Sequence, residues 1–407
     1  MARIVLPRPK LSVKALLMLV VACAAVFLVI RATGESRPVG RWARQLSRGE
    51  AGARREAAAE LIMAESRDAR VAIGALIGGL ADADAEVRAQ SALSLGFLIG
   101  RSGGVSARRN GGAALSSRLA DDPLRDRATT ALVRGLDDPS PLVRSLSAKA
   151  LGGFAPAPAV AVGRLVAMLK GDAAEEARVA AAGALVSDEV GDKAVVDALI
   201  AAMKADKSPE VRLISAASLA PIAGYEPVFL AFVGAMGDAD GRLRAAVEGG
   251  LRRVKLPHPS GIAALLAILE RTDLPESTTD LAAWLLGGIG PEAARAAPGL
   301  LAASRRLKEP PEQDLGLRAT LCRALYSVAP ESAEFRAALD ELIAILGETP
   351  ASWRQYSTAI LLGEFGKAAE PALPALRTAA VEWDKEYAGY AGKAATAIEL
   401  GVEGVEP

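Results

Sequence analysis

The sequence predicts an all-α protein in which one transmembrane helix precedes a long array of helical hairpins. Three observations support this prediction: an apolar composition with few aromatic residues, an uncharged apolar run near the N-terminus, and a short residue pattern that recurs along the rest of the chain. The chain has 407 residues, of which 51% are hydrophobic but only 4% aromatic. Small apolar side chains suit thin helical layers, and Ala and Leu are strong helix formers. Because 407 residues exceed one hydrophobic core, several domains or a repeat array are expected.

The composition also excludes several classes of site. Two cysteines, Cys23 and Cys322, exclude a disulfide-stapled domain, and the single histidine, His258, excludes a site that needs two histidines. The 48 basic and 48 acidic side chains give a net charge of zero, which does not favour nucleic-acid binding. We therefore expect no catalytic residue, no cofactor and no metal ion. Charge is nevertheless uneven, because residues 331–407 contain thirteen acidic and six basic residues. A solvated cap explains this excess most simply, and docking of a basic partner is the alternative.

A membrane span is predicted close to the N-terminus. Residues 15–30 contain no charged or strongly polar side chain. As a helix this run spans roughly 24 Å, short of a hydrocarbon core of about 30 Å, but it extends to residues 11–30 if Lys14 reaches the headgroups along its stem. We therefore expect a basic N-tail over residues 1–10, a transmembrane signal-anchor over residues 11–30 and a polar linker over residues 31–40.

Two alternatives for this segment stay open. A cleaved secretory signal has a passable small-residue site at Ala32-Thr33-Gly34, although the apolar run is longer than the core of most signal peptides. A lipoprotein signal would use Cys23, but the residues that follow it are apolar. Basic residues flank the span on both sides, so the positive-inside rule does not decide its orientation. A short basic tail usually stays cytoplasmic, which favours a large domain outside the cytoplasm.

One pattern recurs along the remainder of the chain: an acidic residue, an arginine six positions later and a leucine seven positions after the arginine. Full matches occur at Asp82, Arg88, Leu95; Asp138, Arg144, Leu151; Asp172, Arg178, Leu185; Asp206, Arg212, Leu219; Asp238, Arg244, Leu251; Glu312, Arg318, Leu325; and Glu348, Arg354, Leu361. Partial matches around Arg54 and around Thr279, which replaces the arginine, fill the remaining gaps. Recurrence at a nearly constant spacing indicates a repeat array.

Each repeat is interpreted as two helices with the acidic residue in the turn between them. The array is expected to cover residues 41–400, with a long loop insertion at about residues 101–122 and an acidic tail over residues 401–407. Glycines and the lack of an apolar period mark the insertion as a loop. The last unit, residues 367–400, lacks the pattern and is interpreted as a terminal cap.

The pattern has a physical explanation. The turn carboxylate can accept backbone N–H groups at the start of the second helix and suits the positive end of its dipole. The arginine needs an acceptor, which an acidic residue in the adjacent repeat can supply. Leu packs on the same helical stripe, and a small residue such as Ala92 lets helices approach closely. The predicted structural ladder consists of Asp82, Arg88, Asp138, Arg144, Asp172, Arg178, Asp206, Arg212, Asp238, Arg244, Glu312, Arg318, Glu348 and Arg354.

These segments carry a family resemblance. DADAEVRAQSALSLG at 82–96, DDPSPLVRSLSAKALGG at 137–153 and DKSPEVRLISAASLA at 206–220 resemble HEAT repeats, especially the short bacterial form also called PBS-lyase-like repeats. The resemblance covers roughly residues 41–400. It implies a right-handed α-solenoid of about nine to ten stacked helical hairpins.

The resemblance is unspecific for function. Deoxyhypusine hydroxylase, a HEAT protein, holds iron through repeated His-Glu pairs, which a single histidine excludes. His258 is interpreted as an exposed histidine in a loop between repeats, and Cys322 as a packed thiol. Trp284 is predicted to lie in the core, and Trp353 is predicted to be packed beside its pattern arginine.

We expect a membrane-anchored scaffold or adaptor that binds another protein through its solenoid surface and has no catalytic chemistry of its own. The predicted partners are that protein, of unknown identity, and the membrane through residues 11–30. No nucleic acid is expected, and no small-molecule ligand is identifiable. The alternative is an accessory subunit of an enzyme or transport complex, like the HEAT subunits of bilin lyases. A nucleic-acid-binding HEAT protein is a less favoured alternative.

Overall fold

A computed structural model describes residues 38–64, 68–99, 123–154, 157–186, 192–307, 315–348, 353–383 and 385–402. These residues form α-helices, short 3₁₀ helices and turns, and they contain no β-strand. The prediction of an all-α fold is therefore confirmed for the part of the chain that is described. The predicted N-tail at 1–10, the membrane span at 11–30, the loop at 101–122 and residues 403–407 of the acidic tail lie outside it.

Within these described ranges, no helix combines the length and the apolar character needed to cross a membrane. The first described helix begins at Pro38, inside the segment predicted to be a linker over residues 31–40. Proline suits the first helical position, since the N–H that it lacks would have no intrahelical partner there.

The chain divides into two compact units, residues 1–186 and 187–407. Helices of the first unit pack as consecutive hairpins, in which each odd-numbered helix is the first of its pair and each even-numbered helix the second. The helices are α1 Pro38–Arg48, α2 Ala51–Glu60, α3 Ala69–Gly79, α4 Ala85–Ile99, α5 Pro123–Gly135, α6 Pro141–Gly152, α7 Ala159–Gly171 and α8 Glu175–Ala184.

The second unit repeats the same arrangement of first and second helices. Its helices are α9 Lys193–Ala205, α10 Pro209–Leu219, α11 Glu226–Ala235, α12 Gly241–Leu251, α13 Ile262–Glu270, α14 Glu276–Ile289, α15 Ala297–Arg306, α16 Gly316–Val328, α17 Ala333–Leu346, α18 Trp353–Glu364, α19 Leu373–Glu382 and α20 Lys385–Leu400. Helices α19 and α20 pack as a hairpin over the segment that was interpreted as a terminal cap.

Local sequence signals explain where the second helices begin. Pro141 and Pro209 each occupy the first turn of their helix. The Ser208 hydroxyl accepts a hydrogen bond from the Val211 N–H, and the Asp240 carboxylate accepts from Arg242 N–H at 2.9 Å. These caps satisfy backbone donors that a helix leaves without an intrahelical partner.

The core of each unit is built from leucine and alanine. The pattern leucines Leu95, Leu151, Leu219 and Leu251 are fully buried, as is Ala92 in the small-residue position. Alanine at that position leaves room for the neighbouring helix, and leucine fills the space beside it. The second unit also buries four phenylalanine rings, those of Phe229, Phe232, Phe335 and Phe365.

Close packing between consecutive second helices depends on a glycine that the sequence analysis did not single out. A Cβ atom added to Gly96 of α4 would lie 2.6 Å from Ala150 Cβ of α6, and one added to Gly152 would lie 2.7 Å from Ala184 Cα of α8. In the second unit Gly287 of α14 faces Ala324 of α16 in the same way. Glycine permits an approach of backbones that any side chain would prevent.

This close packing is missing between α12 and α14. Arg252 follows the pattern arginine Arg244 at the spacing that separates Gly96 from Arg88, so a long charged side chain replaces the glycine. Side chains join the two helices instead: the Thr278 hydroxyl donates to Glu248 Oε1 at 2.5 Å. The backbones therefore stand farther apart at this junction.

Candidate interaction surface on the second helices

The predicted ladder residues meet as ion pairs between successive hairpins of the first unit. Arg88 Nε and Nη2 each donate to the Asp138 carboxylate at 2.8 Å, and Arg144 Nε and Nη2 each donate to Asp172 at 2.7 Å. Arg54, from the partial match, pairs with Asp82 at 2.8 Å in the same two-bonded geometry. The arginine of each of these repeats thus reaches the turn of the next.

The same guanidinium groups also hold the turn of their own repeat. Arg88 Nη1 donates to the carbonyl oxygen of Asp82 at 2.9 Å, and Arg144 Nη1 donates to that of Asp138 at 2.9 Å. One arginine therefore connects two turns, which explains why acid and arginine recur at a fixed spacing. This bidentate and backbone bonding uses the planar fork of the guanidinium, which lysine cannot reproduce.

The turn acids do not cap the helices in the manner expected from the sequence. Asp138 Oδ1 accepts from the N–H of Ser140 at 2.8 Å, and Asp172 Oδ1 accepts from the N–H of Ala174 at 2.9 Å. Each acceptor bond therefore reaches the residue just before the second helix rather than the helix itself. The carboxylate stabilises the turn, and its remaining lone pairs stay available to the arginine of the preceding repeat.

These bonds favour the charged state of the turn acids. The hydrogen bonds from Arg54 lower the pKa of Asp82 below its ordinary value, and those from Arg144 do the same for the pKa of Asp172. Burial acts in the opposite direction in both cases. The ionised pair is therefore the stable form at neutral pH.

The second unit follows the ladder in part. Arg212 Nη2 donates to Asp238 Oδ1 at 3.0 Å. Arg244 Nη1 donates to the Asp238 carbonyl at 2.9 Å, but the acid of the following turn, Asp273, is bound by Arg271 of its own turn at 2.6 and 3.0 Å. The change coincides with the separated junction of α12 and α14.

The remaining ladder residues have other surroundings. Arg178 Nη1 donates to the Asp172 carbonyl at 2.9 Å, and Asp206 Oδ1 accepts from the Ser208 N–H at 2.8 Å. Arg318 is buried and donates to Ser304 Oγ at 3.2 Å. Glu348 lies 3.5 Å from Arg354 of its own repeat, and Glu312 lies outside the described residues.

A partly exposed aromatic cluster lies on α18 and α20, both second helices. Trp353, Tyr356, Tyr387 and Tyr390 form it, with ring centroids 4.4 to 6.0 Å apart and rings nearly perpendicular. The prediction that Trp353 is packed is wrong, because 56% of this residue is exposed. Helix α18 begins at Trp353 itself, whereas α6 and α10 begin three residues before their pattern arginine.

A second exposed indole, that of Trp284, lies on α14. The prediction that Trp284 belongs to the core is wrong, since it is 45% exposed. Trp284 stands five positions after Thr279, and the equivalent residues Lys149, Ala217 and Arg323 are exposed as well. The repeat register alone therefore carried the signal that this tryptophan faces solvent.

Trp284 borders a cleft formed by three second helices. Arg252 at the end of α12, Asp280 and Trp284 on α14, and Thr320 on α16 line it. Arg252 Nη1 lies 3.9 Å from Asp280 Oδ2, beyond hydrogen-bond distance. The cleft thus combines a cation, an anion, a hydroxyl group and an aromatic face.

His258 and Cys322, the two other residues considered in the sequence, are both at least partly buried. His258 is partly buried rather than fully exposed: its Nε2 lies 2.8 Å from the carbonyl oxygen of Gly224, and its ring packs on Phe229. Cys322 is buried in α16, as predicted for a packed thiol. In the part of the chain that is described, His, Cys, Asp and Glu form no group of three or more that could hold a metal ion.

Comparisons with known proteins agree with the repeat architecture. The pattern of HEAT repeats matches residues 129–220. No curated protein is similar to this chain in sequence. Among solved structures, a chain of the Kap95:Nup1 complex is similar over 89% of this chain and 56% of its own length, at 13% identity and a TM-score of 0.52.

Two other solved structures are similar at lower scores. Importin beta matches with a TM-score of 0.46 and 14% identity, over 91% of this chain and 56% of that one. A designed armadillo repeat protein matches with a TM-score of 0.38 and 19% identity, over 52% of this chain and 98% of that one. This chain thus spans about half the length of the natural proteins it resembles. Residues 129–220 are thus similar to HEAT repeats, and the described part of the chain folds as an all-helical repeat protein.

Proposed function

We propose that this protein is a membrane-tethered HEAT-repeat scaffold that binds another protein through the second helices of residues 187–407. The observation that carries the proposal is the cluster of Trp353, Tyr356, Tyr387 and Tyr390, in which Trp353 is exposed and the three tyrosines are half-buried. Tryptophan and tyrosine dominate the energetics of protein interfaces, because they bury a large rigid area with little loss of conformational entropy.

The distribution of aromatic residues supports this assignment. The chain has four tryptophans and five tyrosines, and this one cluster contains four of these nine residues. A soluble surface gains nothing from an exposed indole, whereas a surface that a partner covers does. The acid–arginine pairs, in contrast, hold hairpins together and are occupied within the chain.

The partner is tested by site-specific cross-linking in the full chain. A photoreactive amino acid at Tyr356 should label one discrete protein. The same group at Val381, an exposed residue on the first helix α19, should not label it. The identified protein should then bind the double variant Trp353→Ser, Tyr356→Ser at least tenfold more weakly, and Val381→Ser within twofold of the wild type. Equal labelling at both positions, or equal binding by all variants, would show that the cluster is not the interface.

The tether is tested separately. The full chain is expected in a membrane fraction that resists alkaline extraction, because residues 11–30 are long enough to span the hydrocarbon core. Replacing Val20 and Val21 by arginine places two charges at the centre of that span, each unfavourable by about 3 kcal/mol, and should release the protein. Retention of this variant would contradict a single anchor at 11–30.

A further inference from the structure

The cleft beside Trp284 has the chemistry of a binding site rather than of a packing defect. It lies where α12 and α14 lack the close backbone contact seen between α4 and α6, and Arg252 stands at the position that Gly96, Gly152 and Gly287 occupy in their helices. Glu248 is engaged at this junction, since it accepts the Thr278 hydroxyl hydrogen bond at 2.5 Å. Asp280 is the acidic group that remains at the cleft.

Asp280 is weakly engaged. Within the described ranges, the Asp280 carboxylate pairs with Arg252, whose Nη1 lies 3.9 Å from Oδ2. Arg252 is itself held loosely, because its Nη2 lies 3.4 Å from the carbonyl oxygen of Ser277. Both side chains are partly exposed. A tighter pair joins α16 and α18, where Arg323 donates two bonds to Glu364 at 2.6 and 2.9 Å.

Asp280 and Trp284 share one face of α14, because residues four apart lie one helical turn from each other. A cation that pairs with the Asp280 carboxylate therefore lies next to the exposed indole. The face of an indole ring attracts cations through its quadrupole and does not attract anions. Carboxylate and ring thus select the same sign of charge.

We propose that the cleft binds a lysine or arginine side chain of the partner protein. The cation would displace Arg252 from Asp280, its stem would cover the indole of Trp284, and the Thr320 hydroxyl would border the far side. Arg252 acts in the free protein as an internal substitute for that cation. This inference rests on the proposed function, since it assumes that a protein partner covers the second helices.

The site is tested by NMR on the full chain with ¹⁵N-labelled tryptophan, and the Trp284 indole signal is assigned by its loss in Trp284→Phe. The probes are the N-acetyl N-methylamides of lysine, arginine, norleucine and glutamate. Lysine and arginine should shift the Trp284 signal in a saturable manner, and norleucine should not. Asp280→Asn should weaken this binding roughly tenfold. Arg252→Ala should leave it unchanged or strengthen it, because an internal competitor is removed.

Three results would overturn the proposal. A shift of equal size with norleucine would make the cleft an apolar site. A shift with glutamate that Arg252→Ala abolishes would make it an anion site. The absence of any shift with lysine and arginine would show that the cleft binds no cation. The variant Glu364→Gln, at the tightly paired position, serves as the control and should change none of these titrations.

The outcome is independent of the test of the scaffold. If Trp353→Ser, Tyr356→Ser loses the cross-linked partner while the cleft binds no cation, then the scaffold stands and this inference fails. If the cleft binds lysine and arginine but the aromatic variant keeps its partner, then the aromatic cluster is not the interface.

Discussion

Arg144 joins two turns of consecutive hairpins with one side chain. Its Nε and Nη2 donate parallel hydrogen bonds of 2.7 Å to the Asp172 carboxylate, while its Nη1 donates to the carbonyl oxygens of Asp138 and Pro139 at 2.9 and 3.1 Å. The Asp172 side chain is only 8% exposed. This geometry makes the pair a structural contact between repeats rather than a surface ion pair.

Arg144→Ala is expected to lower the free energy of unfolding by about 1–3 kcal/mol, because it leaves a buried carboxylate and two carbonyl groups without their donor. Arg144→Lys should recover only part of the loss, since an ammonium group cannot form both parallel bonds. Urea denaturation of the full chain, followed by circular dichroism, measures both effects.

The matched control is Arg164→Ala in the next hairpin. Arg164 lies 3.4 Å from Asp137, and both side chains are about half exposed. Such surface pairs contribute about 0–1 kcal/mol, so this variant should stay close to the wild type. Equal losses in Arg144→Ala and Arg164→Ala would refute the structural role of the ladder.

The ladder also predicts a dependence of stability on acid. The hydrogen bonds from Arg144 depress the pKa of Asp172 in the folded protein. A group with a depressed folded pKa stabilises the protein above its unfolded pKa, about 3.9 for aspartate, and that contribution disappears as pH falls through the folded pKa. Stability should therefore decline below about pH 4, and Asp172→Asn should flatten the decline.

Thermal unfolding between pH 2 and pH 7 measures this effect. Arg144→Ala should also reduce the decline, because it removes the hydrogen bonds that depress the Asp172 pKa. The double variant should follow the pH dependence of Asp172→Asn, because both lack the carboxylate. A full acid-dependent decline in Asp172→Asn would assign it to other carboxylates.

Glycine at the contact between second helices gives a third prediction. Gly96→Ala should destabilise the protein by about 1–3 kcal/mol, because the new Cβ would lie 2.7 Å from the Ala150 backbone and the helices would have to separate. Gly163→Ala in α7 is the control, since a Cβ there meets no atom within 4 Å. That variant should be stabilised by about 0.5–1 kcal/mol through helix propensity.

Denaturation midpoints of the two variants should therefore move in opposite directions. If Gly96→Ala were as stable as Gly163→Ala, the close approach of α4 and α6 would not exist in solution.

Repeated spacing explains why the pairs and the core could be predicted from the sequence. Acid, arginine and leucine recur because each contacts the adjacent repeat, so their spacing in the sequence predicts contacts in the folded protein. Arg54, which lacks a preceding acid in its repeat, still pairs with Asp82, because it reaches forward as Arg88 and Arg144 do. The turn acids were assigned to the wrong donors, since the sequence does not show that the second helix begins only three residues after the acid.

The exposed aromatic residues could not be predicted in the same way. Trp284 was assigned to the core and Trp353 to a packed position beside its pattern arginine, although a residue's direction follows from its position in the helix. The separation of α12 and α14 was not predicted either. Arg252 stands where Gly96 and Gly152 stand in their helices, and the sequence alone does not show that those glycines contact the neighbouring helix. For Trp284 the repeat register does carry the signal, because the equivalent residues Lys149, Ala217 and Arg323 are exposed.

A paired substitution in the first unit tests how tightly the two helices of one hairpin are packed. Gly135 of α5 faces Ser147 of α6, and a Cβ added to Gly135 would overlap the Ser147 hydroxyl and lie 3.1 Å from Ser147 Cβ. That hydroxyl is buried and has no hydrogen-bond partner in the described part of the chain. Gly135→Ala should therefore lower the free energy of unfolding by about 1–3 kcal/mol.

Ser147→Ala alone should be neutral or stabilising, because it removes an unsatisfied polar group. The double variant should recover at least about 0.5 kcal/mol relative to the sum of the single changes, as measured by urea denaturation. Strict additivity would mean that the two side chains do not meet.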